Sequence, residues 1–356
     1  MNSSFRIASF PNAVFIWGVV LSVALTLAPD RVTAQTQYSA GFTYIEPTPE
    51  RPLKVGIWYP SSSEETLQRW GPFEVSLAWK GAAAEGRFPV VLLSHGWTGR
   101  YRNHRDTASA LARAGFIVVA PQHRFDQWIG TGNTQLAINL RVAELAAAMF
   151  ALRSRPRLRR IAQNDVVGTL GYSLGGLTSL AAGGARPDLT RIETHCAQLG
   201  DGDSQFCSYN RWWWRAFARL RQWWSNEAPP AADFSDLPLP ALQSIALVAP
   251  VGVPFSRESL LSITAKVGVF RLGDDAEVRY PYHADHIVQS LGTRVLDYRV
   301  HTGVHHYAFI SPFPEWLKAE EHIPVAIDPE GFDRSEFLAK INAEIVKYFQ
   351  KTLLSG

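Results

Sequence analysis

Three short apolar runs, Phe88–Ser94, Phe116–Ala120 and Val166–Gly171, constrain this chain more than any other feature. None of them alternates polar with apolar residues, so each reads as a strand buried on both faces. Segments with helical spacing, Asp106–Ala114 and Gln135–Leu152, lie between them, and a small-residue helix over Leu174–Ala182 follows the third. Repetition of strand, helix and strand predicts an α/β domain with a mostly parallel sheet and helices on both faces. Leu53–Tyr59, Ser244–Val248, Val267–Leu272 and Arg294–Val300 read as further strands, and Ser335–Leu353 as a closing helix capped by Ser335. With 46% hydrophobic and 19% charged residues over 356 positions, the chain can bury such a core. Its net charge of +3 excludes a nucleic-acid binder that works through bulk positive charge.

Residues 1–34 read as an export signal rather than as part of the fold. Arg6 precedes the apolar run Ala13–Ala28, Pro29 breaks it, and Val32-Thr33-Ala34 offers small residues for cleavage. The run is shorter than the roughly 20 residues a spanning helix needs, which favours a cleaved signal over the alternative of an uncleaved anchor. The expected location is the periplasm or the exterior. There Cys196 and Cys207, the only two cysteines, are expected to form a local disulfide. The remaining 35–356 form one domain interrupted by an insertion over about 186–242, which lacks a clear strand. It holds both cysteines and five of the twelve Trp. Arg211, Arg215 and Arg219 recur every four residues there, beside an apolar stripe of Trp213, Phe217, Leu220 and Trp224. One reading is a lid helix that packs aromatic side chains over a pocket. The other is a cationic amphipathic surface that docks on lipid or on an aromatic-rich polymer.

The third apolar run leads into Gly171-Tyr172-Ser173-Leu174-Gly175, a G-x-S-x-G at a strand-to-helix junction. Such a turn lifts a serine hydroxyl above the sheet edge, beside helix N–H groups that favour developing negative charge. Ser94-His95-Gly96-Trp97-Thr98-Gly99 follows the first run, where this topology supplies a second oxyanion donor. The backbone N–H groups of Trp97 and Leu174 are therefore the expected oxyanion hole, with His95 bracing the loop. A base and an orienting acid should follow in the order Ser, acid, His. His306, in the loop after Arg294–Val300, is the expected base, with His305 as the alternative and His301 as a strand end. The acid belongs after Val267–Leu272, where Asp275 is preferred over Asp274 and Glu277. Two other clusters carry less. His283-Ala284-Asp285-His286 resembles a metal-ligand cluster, yet His283 and Asp285 fall on different helix faces, so a polar helix surface is the preferred reading. His104-Arg105-Asp106 echoes a kinase tripeptide without a phosphate loop to accompany it.

On LSHGWTG, VVAPQHRFD, GTLGYSLGG, FRLGDDAEV and GVHHYAFI, about residues 50–350 resemble the α/β-hydrolase superfamily. Within it the chain is similar to secreted and periplasmic relatives of plasma-type platelet-activating factor acetylhydrolase and of predicted dienelactone hydrolases. The resemblance implies an α/β-hydrolase fold with Ser173 as nucleophile, Asp275 as acid, His306 as base, and Trp97 and Leu174 as oxyanion donors. Where dienelactone hydrolases carry a Cys nucleophile this chain has Ser173, so a dienelactone substrate does not follow. The expected activity is a serine carboxylic-ester hydrolase for short-to-medium acyl or aryl esters, including lipid-like or polyester-like ones, with no metal or organic cofactor. The alternatives are an amidase or peptidase on the same fold, and a non-catalytic Trp-rich lipid- or polymer-binding module.

Overall fold

The structure is a computed structural model and describes residues 38–49, 52–126, 129, 133–208, 220, 239, 241–319 and 323–354, all within one compact unit, Thr36–Gly356. The chain opens with four strands, β1 (Ser39–Ile45), β2 (Val55–Ser61), β3 (Thr66–Trp70) and β4 (Phe73–Trp79). Then come β5 (Phe88–Ser94), α1 (Arg105–Arg113), β6 (Ile117–Pro121), α2 (Thr134–Arg153), α3 (Pro156–Ile161), β7 (Ala162–Tyr172) and α4 (Leu174–Ala182). Two helices of the inserted segment follow, α5 (Thr190–Leu199) and α6 (Ser204–Ser208). The chain continues with β8 (Ser244–Val248), α7 (Arg257–Leu261), β9 (Lys266–Leu272), α8 (Ala284–Leu291), β10 (Val295–His301), α9 (Glu315–Lys318) and α10 (Arg334–Phe349).

These strands form one ten-stranded sheet in the order β10-β9-β8-β7-β5-β6-β2-β1-β4-β3. From β6 through β10 every pairing is parallel, and β5, β6 and β8 are buried along their whole length. This is why their sequences are unbroken apolar runs. Opposite faces of β7 meet different helices. A Cβ on Gly168 would touch Phe349 at 3.0 Å, whereas one on Gly171 would meet Ser179 of α4 at 2.5 Å. So α10 covers one face and α4 the other. α2 is long and apolar enough to cross a bilayer, yet 61% of its apolar window is buried, which makes it a core helix.

The structure departs from the sequence expectations at several places. β1, β3 and β4 were not anticipated. β3 buries only Trp70 and exposes Leu67, so it carries no readable alternation. These strands collect Trp58, Trp70 and Trp79 around Phe42, with ring centroids 4.7, 4.5 and 5.0 Å away. Three of the twelve Trp therefore pack in or against the core. β2 runs through Pro60 instead of stopping there, because its pairing with β6 ends at Trp58 and no ladder bond on that side is lost. The closing helix is capped by Asp333, not Ser335: the Asp333 carboxylate accepts from the N–H groups of Ser335 and Glu336.

Candidate active site

The C-terminal ends of β5, β7, β9 and β10 bring the chemistry-bearing residues together, as a parallel sheet does with the loops that leave it. Ser173 stands between β7 and α4 at φ 55° and ψ −120°, a left-handed conformation that costs a non-glycine residue about 1–3 kcal/mol. Three backbone bonds hold it there. Its N–H donates to Val248 O at 3.0 Å, and its carbonyl accepts from Gly176 N at 2.8 Å and Val251 N at 3.2 Å. The flanking glycines are required by contact: a Cβ on Gly175 would lie 1.9 Å from Ser94 O, and one on Gly171 2.3 Å from Gly175 O. The motif's small residues let the nucleophile turn press against the β5 loop.

His306 Nε2 lies 3.0 Å from Ser173 Oγ, and His306 Nδ1 lies 2.7 Å from Asp275 Oδ2. The other oxygen of Asp275 accepts from the N–H groups of Glu277 and Val278, each at 2.9 Å. A buried carboxylate that accepts three hydrogen bonds is a fixed acceptor, which places the imidazole proton on Nδ1 and leaves Nε2 to receive. Tyr172, the first variable position of the G-x-S-x-G, donates its hydroxyl to the His306 carbonyl at 2.9 Å. It thereby ties β7 to the loop that carries His306. The competing candidates have other partners. Asp274 accepts from Gly303 N, Glu277 accepts from the Tyr307 hydroxyl, His305 meets Asp328, and His301 faces Glu344.

On the β5 loop, the Gly96 carbonyl faces Gly99 N at 3.1 Å and His95 Nδ1 at 2.8 Å. A planar trans peptide then turns the Trp97 N–H the opposite way. Leu174 begins α4, so its N–H has no acceptor within the helix. His95 is wholly buried, and its other ring nitrogen accepts from His123 N at 3.1 Å. Burial holds it at about pKa 4, hence neutral, and it braces the loop as expected.

A cavity of about 560 Å³ opens on Ser173 and His306. Ile138, Leu177, Leu189, Ile192, Phe206 and Val251 give it apolar walls, and Glu193 and Glu277 are its carboxylates. Ile192, Glu193 and Phe206 belong to α5 and α6, which the Cys196–Cys207 disulfide joins. Trp213, Phe217 and Trp224 lie outside the described residues. His104 also lines the cavity. It is buried beside Phe309 O at 3.1 Å, and burial lowers it to about pKa 3.

His283 corrects an expectation. It is fully buried, not on a polar surface, and meets Asp203 Oδ2 at 2.9 Å, while His195 reaches the same oxygen at 2.8 Å. Two imidazoles around a carboxylate have the composition of a cation site. The Gly252 N–H, however, points at His283 Nδ1 at 3.3 Å, which makes Nε2 the protonated nitrogen. The group is therefore a hydrogen-bonded clamp between the disulfide-linked segment and the loop before α8. Sequence spacing could not reveal it, because its members lie 80 residues apart.

The sheet order, the strained serine at the strand-to-helix turn and the loops around it define an α/β-hydrolase fold. The sequence model of the dienelactone hydrolase family matches residues 74–191, which carry the β5 loop and the G-x-S-x-G turn, and this stretch is similar to that family. No curated relative matches the chain.

Proposed function

We propose that this hydrolase-fold protein is a serine carboxylic-ester hydrolase acting on short-to-medium acyl or aryl esters. The observation that carries the reading is the continuous chain Ser173 Oγ, His306 Nε2, His306 Nδ1, Asp275 Oδ2, at 3.0 and 2.7 Å, at the floor of an apolar cavity. In this mechanism the Ser173 proton passes to His306 Nε2 as Oγ bonds to the ester carbonyl carbon. The oxyanion is held by the Trp97 and Leu174 N–H groups. When the tetrahedral adduct collapses, the carbon–alkoxy bond breaks and His306 returns the proton to the departing alcohol. Water then attacks the acyl-serine with His306 as base, which releases the acid and restores Ser173.

The apolar walls favour acyl or aryl groups over charged ones. Export through residues 1–34 accords with the disulfide, which persists in oxidising compartments. Hydrolysis of p-nitrophenyl esters by the wild type and by Ser173→Ala tests the reading. Loss of activity on the order of 10⁴-fold or more is expected, and retention of wild-type turnover would reject Ser173 as nucleophile.

A further inference from the structure

Arg141, in the middle of α2, is fully buried and does not line the cavity. Its guanidinium nevertheless reaches both halves of the site. Nε donates to Thr178 Oγ1 at 2.9 Å, and the Thr178 hydroxyl donates to the Leu174 carbonyl at 3.1 Å. Nη2 donates to the His95 carbonyl and to Ser94 Oγ at 3.4 Å, and Nη1 donates to Asp126. Asp126 completes the frame: Oδ2 accepts the Thr98 N–H at 2.8 Å, and its carbonyl accepts the Trp97 indole N–H at 2.9 Å. Thr98 sits at φ +55°, so the loop needs such a hold. The peptides on either side of Gly96–Trp97 are thus pinned, one by Arg141 and one by Asp126.

We propose that Arg141 is the positioning residue of the oxyanion hole, fixing through one guanidinium both the loop that carries Trp97 and the helix that begins at Leu174. The proposal rests on the esterase reading above and goes beyond its three triad residues. A neighbouring relay supports it. Ser94 Oγ, His123 Nε2, His123 Nδ1 and Glu144 Oε2 form a second Ser–His–carboxyl chain at 2.9 and 2.8 Å. None of the three lines the cavity, so no substrate reaches them and they brace the end of β5. Lys at position 141 would keep the charge but lose the planar fork that serves three directions at once.

The test compares wild type with Arg141→Lys on p-nitrophenyl butyrate, and measures binding of an aryl boronic acid, which forms a tetrahedral serine adduct. Competitive inhibition by benzyl alcohol, a ligand without the adduct, serves as the ground-state control. The expected result is a fall in kcat on the order of 10²-fold with KM within about twofold, since a single oxyanion donor is worth that much. Boronate affinity should fall in step with kcat while benzyl alcohol inhibition stays unchanged. Thr178→Val, which cuts only the link to α4, should give a smaller loss with the same split, and it stands in if the Lys variant does not fold. Unchanged boronate affinity, or equal losses for boronate and benzyl alcohol, would overturn the positioning role. A wild type that neither turns over the ester nor reacts with a fluorophosphonate would instead reject the esterase reading.

Discussion

At Gly273-Asp274-Asp275 two adjacent carboxylates follow β9, and only the backbone decides between them. Asp274 N donates to Val304 O and its side chain accepts from Gly303 N, so it stitches the acid turn to the base loop. Asp275 points the other way, to His306 Nδ1 at 2.7 Å. Asp275→Asn should therefore lower kcat on the order of 10³- to 10⁴-fold, because an amide no longer fixes the imidazole tautomer. Asp274→Asn should stay within about tenfold, since it keeps the triad and weakens one exposed loop contact. Steady-state rates for both variants decide it, and a larger loss at 274 would move the acid. The residues Ser173 and His306 were legible because a G-x-S-x-G turn and chain order restrict them. The choice of acid was left to preference because adjacent residues on one turn differ only in direction. Arg141 and His104 were illegible: a buried Arg within a helix resembles any polar helix position until its partners 15 to 47 residues away are known.

At the scale of elements, the buried parallel strands could be read from composition alone, while the helices around the disulfide could not. Their sequence is polar, α5 has no buried residue, and their order comes from cross-links. Cys196–Cys207 closes an 11-residue separation, and Asp203 between them is held by His195 and by His283 from the catalytic domain. Because Ile192, Glu193 and Phe206 of this segment wall the cavity, the clamp sets the cavity's shape from a distance. Asp203→Ala leaves the buried His283 Nε2–H without an acceptor, a loss of about 1–3 kcal/mol in local stability. The expected readout is a severalfold rise in KM for p-nitrophenyl octanoate, with kcat/KM for the acetate nearly unchanged, since an acetyl group needs only the floor of the cavity. Equal effects on both esters would separate the clamp from substrate selection.

Over the whole molecule, ionisable groups buried away from the triad give stability a pH dependence that no sequence pattern reveals. Burial lowers His95 to about pKa 4, His104 to about pKa 3, and His123 well below its ordinary value near 6.5. The unfolded chain takes up these protons below about pH 6.5 and the folded one does not, so acid favours unfolding. Glu144 works in the opposite sense. Burial raises its carboxyl to about pKa 8 against the attraction of Arg141, so the folded protein keeps a proton that the unfolded chain has released above its ordinary 4.5. That contribution is complete below pH 4.5 and is lost as pH rises through 8. Each unmatched proton is worth about 1.4 kcal/mol per pH unit. Between pH 5 and 6 the three histidines outweigh Glu144, and stability should climb by roughly 3 kcal/mol per unit. Above about pH 7 the unfolded histidines have released most of their protons, so Glu144 dominates and stability should decline by up to about 1.4 kcal/mol per unit until pH 8. Urea unfolding at pH 5, 7 and 8 should thus place the maximum near pH 7. In Glu144→Gln, which keeps the shape of the neutral acid, the decline above pH 7 should vanish while the acid limb remains. An alkaline decline of equal slope in the Gln variant would show that Glu144 is ionised inside the fold, and would assign the buried charge balance to Arg141 with both carboxylates.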